Sequence, residues 1–311
     1  MDSVKAKKEL KLKSYAKVNL SLDVIGKRDD GYHLVETVMQ QVSLHDDIYI
    51  GWKNDSSGKL NISLSAGKPY LPTDARNLAY KAALMMAEQC DPSGKLDIKI
   101  IKRIPVAAGL GGGSSNCAAV MIALNRIWEL GFDTRELCAL GANLGADVPF
   151  CILCQNSRYS CALGTGIGDE LHPIVRGLKK FMVLAKPAFG VSTKDVFKGI
   201  DGCVIEQRPD TDKLIEALKK NEDSVLYSNM VNVLEEYTLK NYPEVETLKK
   251  TVQGTEKVEK VLMSGSGPTV MGIYDEYGAA KNACLKIREQ GYEAYWTTAG
   301  KIFRGEKNVK F

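Results

Sequence analysis

The sequence predicts a two-domain protein of the α+β class. Its 311 residues, of which 44% are hydrophobic, exceed the roughly 250 residues above which one core usually divides into two. In the first half a strand leads into a glycine-rich loop and then into a strongly apolar helix. The second half contains four strands together with amphipathic helices. We therefore expect an N-terminal domain over residues 1–175 and a C-terminal domain over residues 176–311.

Composition and charge indicate a small anionic substrate. The net charge of +4 and the pI near 8.5 are mild, and the lysines are spread along the chain instead of forming basic arms. No stretch reaches the roughly 18 apolar residues of a membrane span, and the N-terminus MDSVKAKKELKLK lacks the apolar core of a signal peptide. We expect a cytoplasmic protein without a nucleic-acid or membrane partner.

The eight cysteines fit a reducing compartment, because most lie in apolar runs where a thiol packs as a small hydrophobe. The spacing of Cys151, Cys154 and Cys161 also fits a zinc or redox site. No second pair and no nearby histidine completes such a site, so we predict no metal centre.

The first long strand is predicted over residues 10–25, where apolar and polar side chains alternate. Lys17, Asn19, Ser21 and Asp23 share its polar face. This face either contacts solvent, which is the commoner case, or lines a cleft with an amine beside an amide.

A glycine-rich loop, PVAAGLGGGSSN over residues 105–116, separates a predicted strand from a buried helix over residues 118–130. Ser114, Ser115 or Asn116 is expected to cap that helix. Successive amide N–H groups and the helix dipole favour an anion such as a triphosphate. The loop lacks the Gly-Lys-Ser/Thr of a Walker A loop and the acidic residue of a dinucleotide fold. The alternative is a turn that only lets strand and helix pack.

Two further turns are candidates for the site. Asp147 lies in the turn GADVP, which we predict between a helix over residues 134–144 and a strand. A lone aspartate there is more often a turn residue than a catalytic one. The turn SGSGP, residues 264–268, joins two strands of the second half. It is either a plain tight turn or a second backbone-lined concavity, and the four strands around it predict a ferredoxin-like α+β sandwich.

With these motifs placed, the sequence resembles the GHMP kinases, a family that includes galactokinase, homoserine kinase and mevalonate kinase. AKVNL (16–20), the loop at 105–115 and SGSGP (264–268) occur in the family's order. The resemblance implies a ribosomal-protein-like α/β N-terminal domain, a ferredoxin-like C-terminal domain and an active site in the cleft between them. It also implies ATP and Mg²⁺ as cofactors, and a monomer or weak homodimer.

The motif GKRDDGYH at 26–33 resembles the branch of the family whose substrate is a cytidine diphosphate sugar alcohol of the non-mevalonate isoprenoid route, phosphorylated on its 2-hydroxyl. The resemblance implies that Asp147 accepts the hydroxyl proton and that Lys17 orients both groups. The substrate-binding residues would be Asn19, Tyr32, His33, Thr193 and Lys198. The residues on the ATP side would be Asn77, Lys102, Pro105, Val106, Ala107, Ala108, Gly109, Leu110, Gly111, Gly112, Gly113, Ser114, Ser115 and Asn116, with a serine hydroxyl available to magnesium.

One segment departs from the family pattern. Residues 150–168 are longer than expected and lack the usual paired glycines, so they form either a distant loop or an altered part of the substrate cleft.

Two rival functions remain. One is another GHMP small-molecule kinase, which has no reason to carry the Gly-Tyr-His marker. The other is a non-catalytic nucleotide-binding or nucleic-acid-binding protein, which has no need of both Lys17 and Asp147.

Overall fold

Two long strands open the part of the chain that the computed structural model describes, residues 8–300. They pair with each other, and both run through two structural units. The first unit comprises the described residues up to Ala16 together with His45–Pro105 and Gly111–Arg158. The second comprises Lys17–Leu44, Val106–Leu110 and the described residues from Tyr159 onward. The predicted boundary between residues 175 and 176 stays a prediction.

The elements in the first half of the chain are β1 (Lys8–Lys27), β2 (His33–Asn54), β3 (Leu60–Ser65), α1 (Leu78–Ala87), β4 (Gly94–Ile101), α2 (Gly112–Ile127), α3 (Thr134–Ala142) and α4 (Val148–Asn156). In the first unit β3 runs parallel to β4, and β4 pairs antiparallel with the C-terminal half of β2. Helix α2 packs against both α1 and α4. It is buried on nearly every side, as its apolar sequence predicts.

The start of α2 differs from the prediction. The helix begins within the glycines, with Gly111 at the N-cap in the left-handed region (φ 64°) and no side-chain cap. The predicted serine or asparagine cap is therefore wrong. The hydroxyl of Ser115 and the amide of Asn116 already lie inside the first turn, where they bond to other parts of the first unit.

The turn GADVP also differs from the prediction. It precedes a helix, α4, and not a strand, with Asp147 at the N-cap position and a proline in the first turn. A short apolar run between turns is compatible with either element, and proline is well tolerated in a first helical turn. The unusual segment at 150–168 is consequently regular structure for most of its length, since α4 ends at Asn156 and a strand begins at Cys161.

The elements that follow are β5 (Cys161–Thr165), β6 (Glu170–Ile174), β7 (Phe181–Lys186), α5 (Thr193–Ile200), α6 (Thr211–Lys220), α7 (Asp223–Asn229), α8 (Glu235–Asn241), α9 (Pro243–Gln253), β8 (Lys260–Met263), β9 (Val270–Tyr274), α10 (Tyr277–Glu289) and β10 (Glu293–Thr298). The N-terminal half of β2 pairs with β5, and β5 pairs with β6. Four antiparallel strands form a second sheet in the order β10-β7-β9-β8, against which α9 and α10 pack. The predicted α+β arrangement of the second half is confirmed.

The core of the second unit lies between that sheet and its helices. Val183, Val245, Leu248, Val270 and Tyr274 are among its buried side chains. Each fully buried aliphatic side chain contributes about 1.5–3 kcal/mol relative to exposure, so this core is a stable support for the turns at its edges. Within residues 8–300, no helix has the length and apolar character required to cross a membrane.

Candidate active site

The polar side chains of β1 are buried, which excludes the alternative that this strand face contacts solvent. The exposed fractions of Lys17, Asn19, Ser21 and Asp23 are 5%, 2%, 0% and 7%. Burying such groups costs free energy unless they are hydrogen-bonded. Their partners therefore define the site from the strand outward.

Lys17 and Asn19 form the first part of that network. The Lys17 ammonium donates to Asn19 Oδ1 at 2.9 Å, and Asn19 Nδ2 donates to Thr37 Oγ1 at 2.8 Å. The Thr37 hydroxyl in turn donates to the carbonyl of Ser21 at 2.6 Å. The amide of Asn19 is thus fixed in one orientation, and it holds the Lys17 ammonium at the polar face of β1.

Three motifs that are far apart in the sequence meet in the second unit. The backbone N–H of Lys17 donates to the carbonyl of Leu110 in the glycine-rich loop at 3.0 Å. The N–H of Asn19 donates to Ser264 Oγ at 3.3 Å, and that hydroxyl donates to the carbonyl of Gly109 at 3.2 Å. The β1 strand, the first half of the loop and the turn at 264–268 therefore form one hydrogen-bonded group.

Gly109 is the residue that permits this close approach. Its φ is +71°, and a Cβ there would lie 2.4 Å from the carbonyl oxygen of Ser264 and 3.0 Å from that of Gly267. Any side chain would clash with backbone atoms and strain the left-handed conformation. Packing therefore requires glycine at position 109.

Asn232 organises the 264–268 turn, a role that no sequence pattern indicated. Its side chain is 2% exposed, and Nδ2 donates to the carbonyls of Met263 and Gly265, each at 2.8 Å. Its Oδ1 accepts from the N–H of Leu234 at 3.1 Å. Such side-chain to backbone bonds are visible only in the folded chain, because Asn232 lies about thirty residues from the turn.

The second half of the loop belongs to the first unit and forms the start of α2. The Ser115 hydroxyl donates to the carbonyl of Tyr15 at 2.6 Å and accepts from Ser14 Oγ at 2.8 Å. Asn116 Nδ2 donates to Ser14 Oγ and to Asp46 Oδ2, each at 2.8 Å. Ser115 and Asn116 are thus engaged below the loop, whereas Ser114 is only half-buried and is the serine better placed for a ligand.

Lys102 lies beside the same turn. Its ammonium bonds to Asp46, and a Cβ on Gly112 would lie 2.9 Å from Lys102 Nζ. Burial lowers the pKa of Lys102, and the Asp46 carboxylate acts in the opposite direction. The predicted ATP-side residues Lys102, Asn116 and Gly112 are therefore brought together, on an aspartate that the sequence did not single out. The available signal was a pair of adjacent acidic residues, Asp46 and Asp47, inside a predicted strand.

Asn77 has a local structural role. It is the N-cap of α1, where Oδ1 accepts from the N–H of Ala79 at 3.0 Å and Nδ2 donates to the carbonyl of Pro72 at 2.8 Å. The oxygen of the side chain thus caps the helix, and its nitrogen bonds to the preceding loop. Its predicted contact with ATP stays a prediction.

Asp147 is half-buried at the start of α4. The turn that carries it lies next to the glycine-rich loop, since a Cβ on Gly145 would be 4.0 Å from Ser114 Oγ. The N-terminus of a helix favours a negative charge through its dipole and its unpaired N–H groups. The first unit therefore places the turn that carries the Asp147 carboxylate near the glycine-rich loop. Asp147 also interacts with other groups of the protein.

His33 and Tyr32 have opposite environments. The His33 side chain is 6% exposed, and its Nε2 lies 2.6 Å from Asp201 Oδ1. Its ring also packs against Phe197, with centroids 5.4 Å apart. Tyr32 is 62% exposed, which leaves its ring face open. The bonds from Lys27 and His33 lower the pKa of the Asp201 carboxyl, so Asp201 holds the His33 ring as an ionised acceptor.

The remaining predicted substrate residues lie on α5. Thr193 Oγ1 is 2.9 Å from Ser266 Oγ, so the start of α5 contacts the 264–268 turn. Lys198 is exposed near the end of the same helix. The structure thus connects Thr193 to the motif group, whereas Lys198 points to no described partner in that group.

The three cysteines considered for a metal or redox site are all buried. Cys151 and Cys154 lie in α4, and Cys161 begins β5. Burial raises the pKa of Cys161 to about 12, which suppresses its thiolate. Among residues 8–300, no group of three or more potential metal-ligating side chains occurs.

The geometry suits the binding of an anion by backbone groups. The 16-residue helix α2 presents its first N–H groups at a glycine turn, with the Lys102–Asp46 pair beside it and the Asp147 turn next to it. A polyphosphate can be held there by amides and the helix dipole without a Walker A lysine. Lys17 and the Tyr32–His33 segment provide separate polar groups in the second unit.

Comparison with known proteins supplies the family. Residues 77–155 match the GHMP kinases N terminal domain, and residues 207–293 match the GHMP kinases C terminal domain. A relative from Alkaliphilus oremlandii, named 4-diphosphocytidyl-2-C-methyl-D-erythritol kinase, is 47% identical over 89% of this chain and 91% of its own. A relative of the same name from Clostridium botulinum is 41% identical over 93% of this chain and 99% of its own.

Solved structures agree with these matches. A crystal structure of 4-(cytidine 5'-diphospho)-2C-methyl-D-erythritol kinase superposes with a TM-score of 0.76 at 31% identity, covering 94% of this chain and 99% of the other. Mevalonate kinase from L. major superposes with a TM-score of 0.69 at 18% identity, covering 96% and 98%, which supports the fold alone. The chain belongs to the GHMP kinase family, among relatives named 4-diphosphocytidyl-2-C-methyl-D-erythritol kinase.

Proposed function

We propose that the protein transfers the γ-phosphoryl group of ATP to the 2-hydroxyl of 4-diphosphocytidyl-2-C-methyl-D-erythritol, in the non-mevalonate route to isoprenoid precursors. The observation that carries the proposal is the hydrogen-bonded group of three family motifs, the strand at Lys17–Asn19, the loop at Gly109 and the turn at Ser264. Relatives that are 46% and 47% identical over 89% of this chain are named 4-diphosphocytidyl-2-C-methyl-D-erythritol kinase.

The proposed mechanism assigns the proton transfer to Asp147 and the orientation of the hydroxyl to Lys17. Asp147 is the N-cap residue of α4, where the helix dipole favours a negative charge. A buried ammonium already fixed by Asn19 is a directed donor toward the acceptor oxygen. Proton transfer of this kind contributes roughly two to four orders of magnitude in rate.

We assign the triphosphate to the glycine turn at the start of α2. Its N–H groups offer backbone hydrogen bonds, and the positive end of the helix dipole stabilises the phosphate charge. Magnesium that arrives with ATP would neutralise charge on the transferring group, and the Ser114 hydroxyl fits as one of its ligands. Mg²⁺ usually takes only one or two protein ligands besides phosphate and water, so this donor set is sufficient.

We assign the cytosine to Tyr32 and His33. The exposed ring of Tyr32 offers a face on which a base can stack. His33, whose Nε2 is bonded to Asp201, presents its other ring edge for hydrogen bonding. In this assignment Asn19, Thr193 and Lys198 contact the rest of the substrate. We further propose that the enzyme works in the cytoplasm as a monomer or weak homodimer, without nucleic acid.

The test of this mechanism compares the wild type with Asp147→Asn in the presence of Mg-ATP and the cytidine substrate. We expect the variant to lose about two to four orders of magnitude in kcat, while ATP affinity measured by calorimetry is retained, because the change removes only the proton acceptor. A matched control is Asp133→Asn, which alters the N-cap of the neighbouring helix α3. Unchanged turnover in Asp147→Asn would remove Asp147 from the role of base.

A further inference from the structure

We propose that Asp46 is a positioning residue for the nucleotide. It holds the Lys102 ammonium and the first turn of α2 in the arrangement that the triphosphate requires. The inference rests on the proposed function, since it takes ATP to bind at the glycine turn. It adds a residue that touches neither substrate in the proposed assignment and that acts through Lys102 and Asn116.

Asp46 is fixed by four donors. Its carboxylate is fully buried. Oδ1 accepts from the backbone N–H groups of Arg103 at 2.6 Å and Ile104 at 2.8 Å, and Oδ2 accepts from Asn116 Nδ2 at 2.8 Å and from the Lys102 ammonium. An ionised carboxylate has about four acceptor positions. Every one of them has a donor here, so the group has a single orientation.

Two of these donors belong to the phosphate-binding region. Asn116 lies in the first turns of α2, and it links Asp46 to Ser14 of β1. Ser14 then donates to Ser115, which donates to the carbonyl of Tyr15. Through this chain the start of α2 is attached to β1 at one end and to Asp46 at the other. The direction of the helix N-terminus is thereby set by buried groups.

Lys102 would not remain in its position without Asp46. Its ammonium lies next to Gly112, at the positive end of the α2 dipole, which repels a cation. Burial also opposes its charge. The Asp46 carboxylate offsets both effects, and in doing so it keeps a cation beside the turn at which phosphate charge arrives.

Packing alone does not explain this pair. Buried ion pairs are often matched or exceeded in stability by apolar side chains of similar volume. Four donors converging on one carboxylate beside a glycine turn are better explained by the need for a cation at a defined place. A purely structural role and a positioning role differ in a measurable way, because only the second changes nucleotide binding selectively.

The experiment compares Asp46→Asn with the neighbouring variant Asp47→Asn. Asp47 bonds to the half-exposed side chain of Arg103 and not to Lys102 or α2, so it controls for the loss of a carboxylate in the same strand. We expect Asp46→Asn to raise the KM for ATP, and the calorimetric Kd for ATP without acceptor, by about 10- to 100-fold, the loss typical of a misplaced positioning group. The KM for the acceptor alcohol should stay at the wild-type value in both variants.

A second variant keeps the inference testable if Asp46→Asn does not fold. In Asp46→Asn/Lys102→Gln the stranded cation is removed, so the buried cluster is neutral. It should fold and show the same selective loss of ATP affinity. Asn116→Ala, which leaves the Lys102–Asp46 pair intact, should produce a smaller loss in the same direction.

A lower Tm with unchanged ATP affinity in the folded variants would overturn the inference and leave Asp46 a structural residue. An equal rise in KM for both substrates would overturn it as well. These results differ from a failure of the proposed function, in which the wild-type protein itself would bind no ATP or phosphorylate no acceptor.

Discussion

Two regions of the molecule differ in how many of their polar groups already have partners. One is the Asp46 cluster, which consists of Asp46 and its donors Lys102, Arg103, Ile104 and Asn116. The other is the Tyr32–His33 segment. Asp46 is fully buried, and all of its acceptor positions are occupied by protein donors. Tyr32 is 62% exposed, and the Asp201 side chain that holds His33 is 42% exposed. The hydrogen bonds of Asp46 are all made within the protein, whereas the exposed ring of Tyr32 can still contact a ligand.

The two regions differ in how much a substitution should destabilise the protein. In a low-dielectric interior a charge that loses its partner is strongly destabilising, whereas an exposed pair is screened by water. Changes in the Asp46 cluster should therefore affect stability as well as binding. Changes at the exposed Tyr32 should affect substrate binding with little effect on folding.

The largest effect is expected from Lys102→Met. This change leaves the buried Asp46 carboxylate without its cation, and the free energy of unfolding should fall by about 3–5 kcal/mol. The double variant Lys102→Met/Asp46→Leu removes both charges and should be more stable than the single variant. Urea unfolding of the two proteins measures the difference. A double variant as unstable as the single one would show that charge is not the cause.

A neutral buried side chain tests whether burial or charge causes most of the loss in the free energy of unfolding. Asn232→Ala removes the amide that bonds to Met263 and Gly265, and the free energy of unfolding should fall by about 1–3 kcal/mol because the two carbonyls lose a donor. Asn241→Ala, at an exposed amide in α8, is the matched control. A loss in Asn232→Ala as large as that in Lys102→Met would mean that burial alone sets the cost.

His33→Ala should weaken recognition of the cytidine substrate without weakening that of ATP. We expect the KM for the cytidine substrate to rise about tenfold, which corresponds to roughly 1.4 kcal/mol, while the KM for ATP stays at the wild-type value. Steady-state kinetics with each substrate varied in turn gives both constants. Equal losses for ATP and substrate would contradict the assignment of His33 to the cytosine.

The smallest effect is expected from Asp201, whose side chain is 42% exposed. Lys27 and His33 lower the pKa of the Asp201 carboxyl below its value in the unfolded chain. A lowered folded-state pKa stabilises the protein above the unfolded pKa, and this stabilisation is lost as the pH falls through the folded value. Asp201→Asn should therefore lower Tm slightly at pH 7, and the difference from wild type should shrink as the pH falls below the ordinary carboxyl value of 3.8. Asp212→Asn, on the exposed side of α6, is the matched control for the loss of a surface carboxylate at pH 7.

Local patterns predicted the helices and strands with strong periodicity. The apolar run after the glycines predicted α2, and the alternation at Leu96, Ile98 and Ile100 predicted β4. The motif at 264–268 was correctly placed between two strands. These features depend on neighbours within a few residues, which a sequence displays directly.

Long-range contacts could not be predicted in the same way. Asp46 acquires its role from Lys102 and Asn116, which are 56 and 70 positions away. The helix after Asp147 was predicted as a strand because its apolar run has no clear period. Whether the polar face of β1 that carries Lys17 and Asn19 contacts solvent or lines a cleft could not be decided, because alternation records polarity, whereas burial depends on what packs against the strand.

The proposed function is tested most directly by offering the purified protein Mg-ATP and one acceptor at a time: 4-diphosphocytidyl-2-C-methyl-D-erythritol, mevalonate, homoserine or galactose. Mass spectrometry detects the phosphorylated product. We expect product from the cytidine compound alone. Product from a different alcohol would contradict the assignment of Tyr32 and His33, and ATP binding without product from any acceptor would contradict catalysis itself.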